Sequence, residues 1–141
     1  MVLSLLCWRG RAAGRRPTAG WSVVPVALMR LAWARSGDKG DDENIGVIAR
    51  RPEFLPLIRA QLGAAQVRAH FAHLVRGEVE RFEVPGLGAL NFVLHRALDG
   101  GGVASLRSDP LGKSFAQMLL DHPIRIPRRW ADDGLVASHR A

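Results

Sequence analysis

Cysteine is nearly absent: the 141 residues hold one, Cys7. That excludes an intramolecular disulfide and any cysteine-bearing zinc cluster in the body of the chain, and it suits a reducing compartment. Acidic residues are missing from Met1 to Met29, where Arg9, Arg11, Arg15 and Arg16 supply the only charge. Long apolar runs are missing too. The opening stretch, Val2 to Trp8, is too short to span a membrane and has no basic region before it, so it fits a secretory signal poorly. The GxxxxGK[ST] spacing of a phosphate-binding loop, the HExxH pair of a zinc protease and a serine or cysteine nucleophile elbow do not occur, and neither does an internal repeat or a coiled-coil heptad.

The formal charge of +7 invites a nucleic-acid reading until it is placed along the chain. From Leu31 to Pro127 there are 12 Lys plus Arg against 11 Asp plus Glu, a net of +1, so the excess sits at the two ends. A nucleic-acid face needs charge clustered on the folded surface, and neither nucleic acid nor membrane is an expected partner. Residues 1–29 read as a disordered or non-native leader, an upstream extension with Met29 as the expected true start. Their acid-free, Arg-rich composition also resembles a mitochondrial presequence, although Pro17 and the glycines break the amphipathic stretch. Residues 30–127 form the domain and 128–141 a polar tail. Removing Met1 to Pro25 is expected to leave stability nearly unchanged.

The polar stretch Ser36 to Asn44, SGDKGDDEN, lies between apolar runs at Val26 to Ala34 and Ile45 to Ala49. It reads as an elaborate loop joining two short strands. Pro52 opens a helical pattern through Phe54, Leu55, Ile58 and Leu62 that Gly63 stops, and Val67, Phe71, Leu74 and Val75 mark a second one ended by Gly77. EVERFEV suits an edge strand. ALNFVLHRAL is dense enough in apolar residues for a buried strand or a short helix, with a lean toward a helix-like or irregular inner segment. Gly100 to Gly102 punctuate the chain, Asp109 or Ser108 caps a helix carrying Leu111, Phe115, Met118 and Leu119, and Ile124 and Ile126 form a last strand. The sum is an α+β fold, a small sheet with helices packed on one face.

Gly37 and Gly40 can turn consecutive amides inward as an anion-holding concavity, with Lys39 adding positive charge. The four acids oppose that use, and the same residues suit a rigid turn whose carboxylates accept backbone hydrogen bonds. Ser36, Asp38, Lys39, Asp41 and Asn44, together with Arg76, Asn91 and Arg107, are the ligand- or partner-binding candidates. His70 and His73 share a broad helix face, and either is placed to move protons at neutral pH; Asn91 and His95 form an i,i+4 pair if their segment is helical. Arg76 and Arg107 can clamp a carboxylate or form internal salt bridges. His70, His73 and Lys39 are the catalytic candidates. No metal and no cofactor is expected.

WARSGDKGDDENIGVIAR, AHFAHLVRG, LGALNFVLH and GGGVASLRSDPLGKSFAQMLLDHPIRIP, in this order between about Leu31 and Pro127, resemble the carboxy-terminal domain of the acyclic terpene utilisation protein AtuA family. The resemblance implies a ferredoxin-like fold for a domain that usually follows a much larger α/β domain, for which this chain has no room. It therefore implies a stand-alone cytoplasmic accessory or binding domain. Such a domain would contribute its polar stretch to a composite site with a larger AtuA-like partner or a homo-oligomer, in branched acyl or terpenoid catabolism. The alternative is a small lyase or hydratase acting on an acyl-CoA or related anionic substrate.

Overall fold

The computed structural model describes residues 22–136. Strand β1 (Val23–Ala27) runs into a 3-10 turn at Leu28–Arg30, and strands β2 (Ala32–Lys39) and β3 (Asp42–Ala49) follow. A 3-10 turn at Pro52–Phe54 leads into helix α1 (Leu55–Gln61), then α2 (Ala64–His70), β4 (Val79–Val84) and β5 (Ala89–Leu94). Helix α3 (Phe115–Leu120), β6 (Pro123–Pro127) and α4 (Arg128–Asp132) complete the order. The main sheet is antiparallel in the order β2-β3-β5-β4, and β1 pairs with β6 in a separate two-stranded ribbon. This is the expected mixed architecture, with short helices against a small antiparallel sheet.

The period of two decides which side of the sheet is covered. Ile45 and Val47 on β3 and Leu90, Phe92 and Leu94 on β5 are fully buried beneath the helices, which supply Ile58, Val67, Phe115 and Leu119 to the same core. Phe71 stacks on Phe115 at 5.1 Å between ring centroids and so joins the end of α2 to α3. Removing water from each such side chain contributes about 2–3 kcal/mol before the entropy of ordering is subtracted. Gln61 fixes α1 to β6 reciprocally: its Nε2 donates to Arg125 O and its Oε1 accepts from Arg125 N, both at 2.8 Å.

Three expectations change. SGDKGDDEN is not a loop: Ser36 to Lys39 finish β2, Asp42 to Asn44 begin β3, and only Gly40 and Asp41 turn between the paired Lys39 and Asp42. Positive φ at Gly40 (73°) and not at Asp41 is the pattern of a type II′ hairpin turn, where glycine carries no steric penalty. ALNFVL is strand β5, so Asn91 and His95 are not a helical pair; they lie two alternations apart on one side of the sheet. An interior strand with one buried side is as apolar as a short helix, but Leu90, Phe92 and Leu94 keep period two. Finally, the boundary at residue 29 cuts through the folded unit, because β1 pairs with β6 from Val23↔Pro127 to Ala27↔Pro123 and Leu28 is fully buried. Beyond residue 127, α4 and the buried Val136 also belong to the fold.

Candidate functional site

The hairpin's side chains leave on opposite sides and do different jobs. Ser36 is buried; its Oγ donates to Gly112 O at 2.7 Å and accepts from Ala116 N at 3.0 Å, pinning β2 to the start of α3. Asp38 pairs with Lys113 at 3.4 Å, while Lys39 is exposed and donates to Asp38 O at 3.3 Å. Asp41 accepts the Gly100 N–H on its carboxylate at 2.7 Å, and its carbonyl accepts from Ala97 and Leu98 at 2.9 and 3.0 Å. The glycine loop thus sits on the hairpin turn, so close that a Cβ on Gly101 would lie 2.3 Å from Gly40 O. On the other side of the sheet, Asn44 Nδ2 donates to Asn91 Oδ1 at 2.7 Å.

The remaining candidates are dispersed. His70 Nε2 lies 2.8 Å from Met118 O, with the ring edge-on to Phe71 and to His122. Burial, and then the neighbouring His70, hold His122 below the usual imidazole range. His73 is exposed and meets Arg107, Ser108 and Met118 at a cleft of about 370 Å³. Arg107 is committed to the backbone there: its guanidinium donates to Ala97 O and to Leu74 O, the latter at 3.2 Å. Arg76 is exposed and pairs with Asp99 at 2.9 Å. Among the described residues no hydrogen bond or ion pair joins Lys39 to His70, His73, Arg76 or Arg107. Among the described residues no group of three or more His, Cys, Asp or Glu could hold a metal, and no helix is long and apolar enough to cross a membrane.

Two polar constellations escaped the sequence reading. His95, just past β5, places Nδ1 2.8 Å from Asp42 and Nε2 2.7 Å from Glu80. The hydrogen bond to Glu80, reinforced by Asp42, raises the imidazole above its ordinary value. The Arg96 amide, together with His95, lowers Asp42. Glu43 is the other. It is wholly buried, neither carboxylate oxygen has a partner of normal geometry, and Gly112 (φ 62°) lies so near that a Cβ there would be 1.4 Å from Oε2. Burial pushes its carboxyl up to about 7, although the amides of Gly37 and Asn44 and the charge of Lys113 pull the other way. Glu43 stands in phase with Ile45 and Val47, and that period-two signal was readable once the acid run is seen as strand.

Among the described residues no helix covers the side of the sheet that carries Lys39, Asn44 and Asn91, and its apolar side chains were not among the site candidates. Trp33 on β2, Ile48 on β3 and Phe82 on β4 are 54%, 44% and 47% exposed, and all point away from the helices. Arg50 lies over the Trp33 ring at 4.6 Å from its centroid. In sequence Trp33 reads as one of several scattered tryptophans, because the cross-strand registers that bring Ile48 and Phe82 onto its side are invisible there.

No curated protein and no solved structure matches the chain. A family model does: the AtuA ferredoxin-like domain matches residues 26–125, a span that starts within β1 and ends within β6 and so takes in the whole main sheet and helices α1 to α3. With that match covering more than half of the chain, the protein belongs to the AtuA ferredoxin-like domain family.

Proposed function

We propose that this chain is an accessory binding domain that docks through the open side of its sheet onto a larger AtuA-like protein or another copy of itself, and adds its β2–β3 hairpin to a composite site. The observation that carries this reading is the asymmetry of the sheet: one side is sealed by helices, while the other leaves Trp33, Ile48 and Phe82 in water. Contiguous apolar surface framed by polar groups is the signature of a protein-binding patch. The family context supports branched acyl or terpenoid catabolism in the cytoplasm as the setting, with an acyl-CoA as a candidate ligand of the completed site. Copurification from the native source followed by mass measurement tests it. An assembly containing the chain is expected, and a persistent monomer at cellular concentration would overturn the reading.

One observation favours the rival reading of a small lyase or hydratase: His73 and Arg107 share a cleft. Isolated protein should then turn over an acyl-CoA thioester, with His73→Ala abolishing the reaction. A broad acyl-CoA panel without turnover removes that reading.

A further inference from the structure

We infer that the occupant of the open sheet side is a second copy of this chain, related by a two-fold axis running along the strands. This rests on the docking reading above and names its partner. An isologous contact requires that a surface complement itself, and an axis parallel to the strands lays β2 of one copy over β4 of the other. The four-stranded order then decides what meets what. At one end, Trp33 and Ile48 meet the opposing apolar end of β4 and β5. At the other end charge alternates across the sheet, with Lys39 at the β2 edge and the exposed Glu78, just ahead of β4, at the opposite edge. The axis brings each Lys39 above the Glu78 of the other copy, twice per dimer. Aligned sheet packing at about 30° displaces these corners by roughly one strand spacing, which the two long side chains can span.

Gly46 supplies an independent argument. It lies at the middle of β3 on the open side, opposite Arg35 and Asn91. Its φ is not in the left-handed region, and a Cβ there would meet only Arg35 O at 4.0 Å. Nothing among the described residues calls for glycine here, and glycine weakens a strand interior unless another backbone or ligand approaches closely. The two-fold puts Gly46 against the Asn91 region of the second copy, where the two sheets come nearest.

The test is sedimentation of the purified full chain alone over a wide concentration range. The wild type should form a dimer. Trp33→Glu with Ile48→Glu should weaken it more than a hundredfold while leaving the far-UV circular dichroism unchanged. Lys39→Glu and Glu78→Lys should each weaken it roughly tenfold, since symmetry counts each contact twice, and the two changes in one chain should restore it. A wild type monomeric throughout overturns the second copy as occupant while leaving the docking reading to the native-source measurement. A dimer indifferent to all four substitutions, or charge reversals that do not rescue one another, also overturns the inference.

Discussion

At the scale of single residues, buried polar groups explain more of this hairpin than its exposed charges do. Glu43 is the sharpest case. Its carboxyl titrates near 7 when folded against an ordinary value of 4.5, so the native state holds the proton more tightly between those values. Stability from this group is therefore fully present below pH 4.5, falls as pH rises, and is lost once pH passes about 7. Glu43→Gln keeps the shape and removes the titration. It should stabilise the fold by about 3 kcal/mol at pH 8 relative to wild type and by much less at pH 4.5, measured by urea denaturation; parallel pH profiles for the two proteins would contradict the account. Gly112→Ala should be severe, more than about 3 kcal/mol, because it forces a left-handed φ on alanine and drives a methyl into that carboxylate. His95 behaves with the opposite partner logic. Its raised pKa means that its contribution is present at low pH and disappears as pH climbs through the folded value, while the lowered Asp42 loses its contribution in acid. His95→Ala should accordingly lower the melting temperature more at pH 6 than at pH 9, and equal losses would remove the bridge from the account.

At the scale of elements, sequence periodicity located α1, the edge strand β4 and the final strand β6, which glycine or proline bounds, and the start of α2; that helix ends at His70 and not at Gly77, so His73 lies in the turns beyond it. It failed where chemistry and period diverge. β2 and β3 end in charged residues that form a regular ladder, so a composition that announces a loop conceals a hairpin. β5 is apolar enough to pass for a helix. Asp109 does cap, but its carboxylate accepts from Lys113 and Ser114 in a turn ahead of α3, which begins only at Phe115. Of the site candidates, Ser36, Asp41 and Asn44 were placed by composition alone; their hydrogen-bond partners Gly112, Gly100 and Asn91 lie 47 or more positions away, beyond any local pattern. The ribbon of β1 and β6 gives the element-scale prediction. Deleting residues 1–27 removes a strand whose Val24 and Val26 pack on the core, and should cost on the order of 2 kcal/mol, about 10 °C in melting temperature. This replaces the expectation that loss of Met1 to Pro25 is silent, since Val23, Val24 and Pro25 pair with Pro127, Ile126 and Arg125. A deletion that melts within a degree of the full chain would show that the ribbon adds nothing.

At the scale of the whole molecule, the sheet divides two tasks. Its inner side, through Ser36, Glu43 and the apolar rows, holds α1 to α3 and fixes the fold; its outer side, through Trp33, Ile48 and Phe82, is left for something else to cover. Substitutions at the exposed Trp33 and Ile48 should leave stability within about 0.5 kcal/mol, yet disrupt assembly. The most direct measurement is sedimentation of the chain in extracts of its native source, wild type against Trp33→Glu/Ile48→Glu, with thermal melts of both purified proteins as a folding control. The account predicts that the wild type sediments in an assembly and that the double variant, equally stable, sediments as a free monomer. A double variant that stays in the same assembly as the wild type would contradict it.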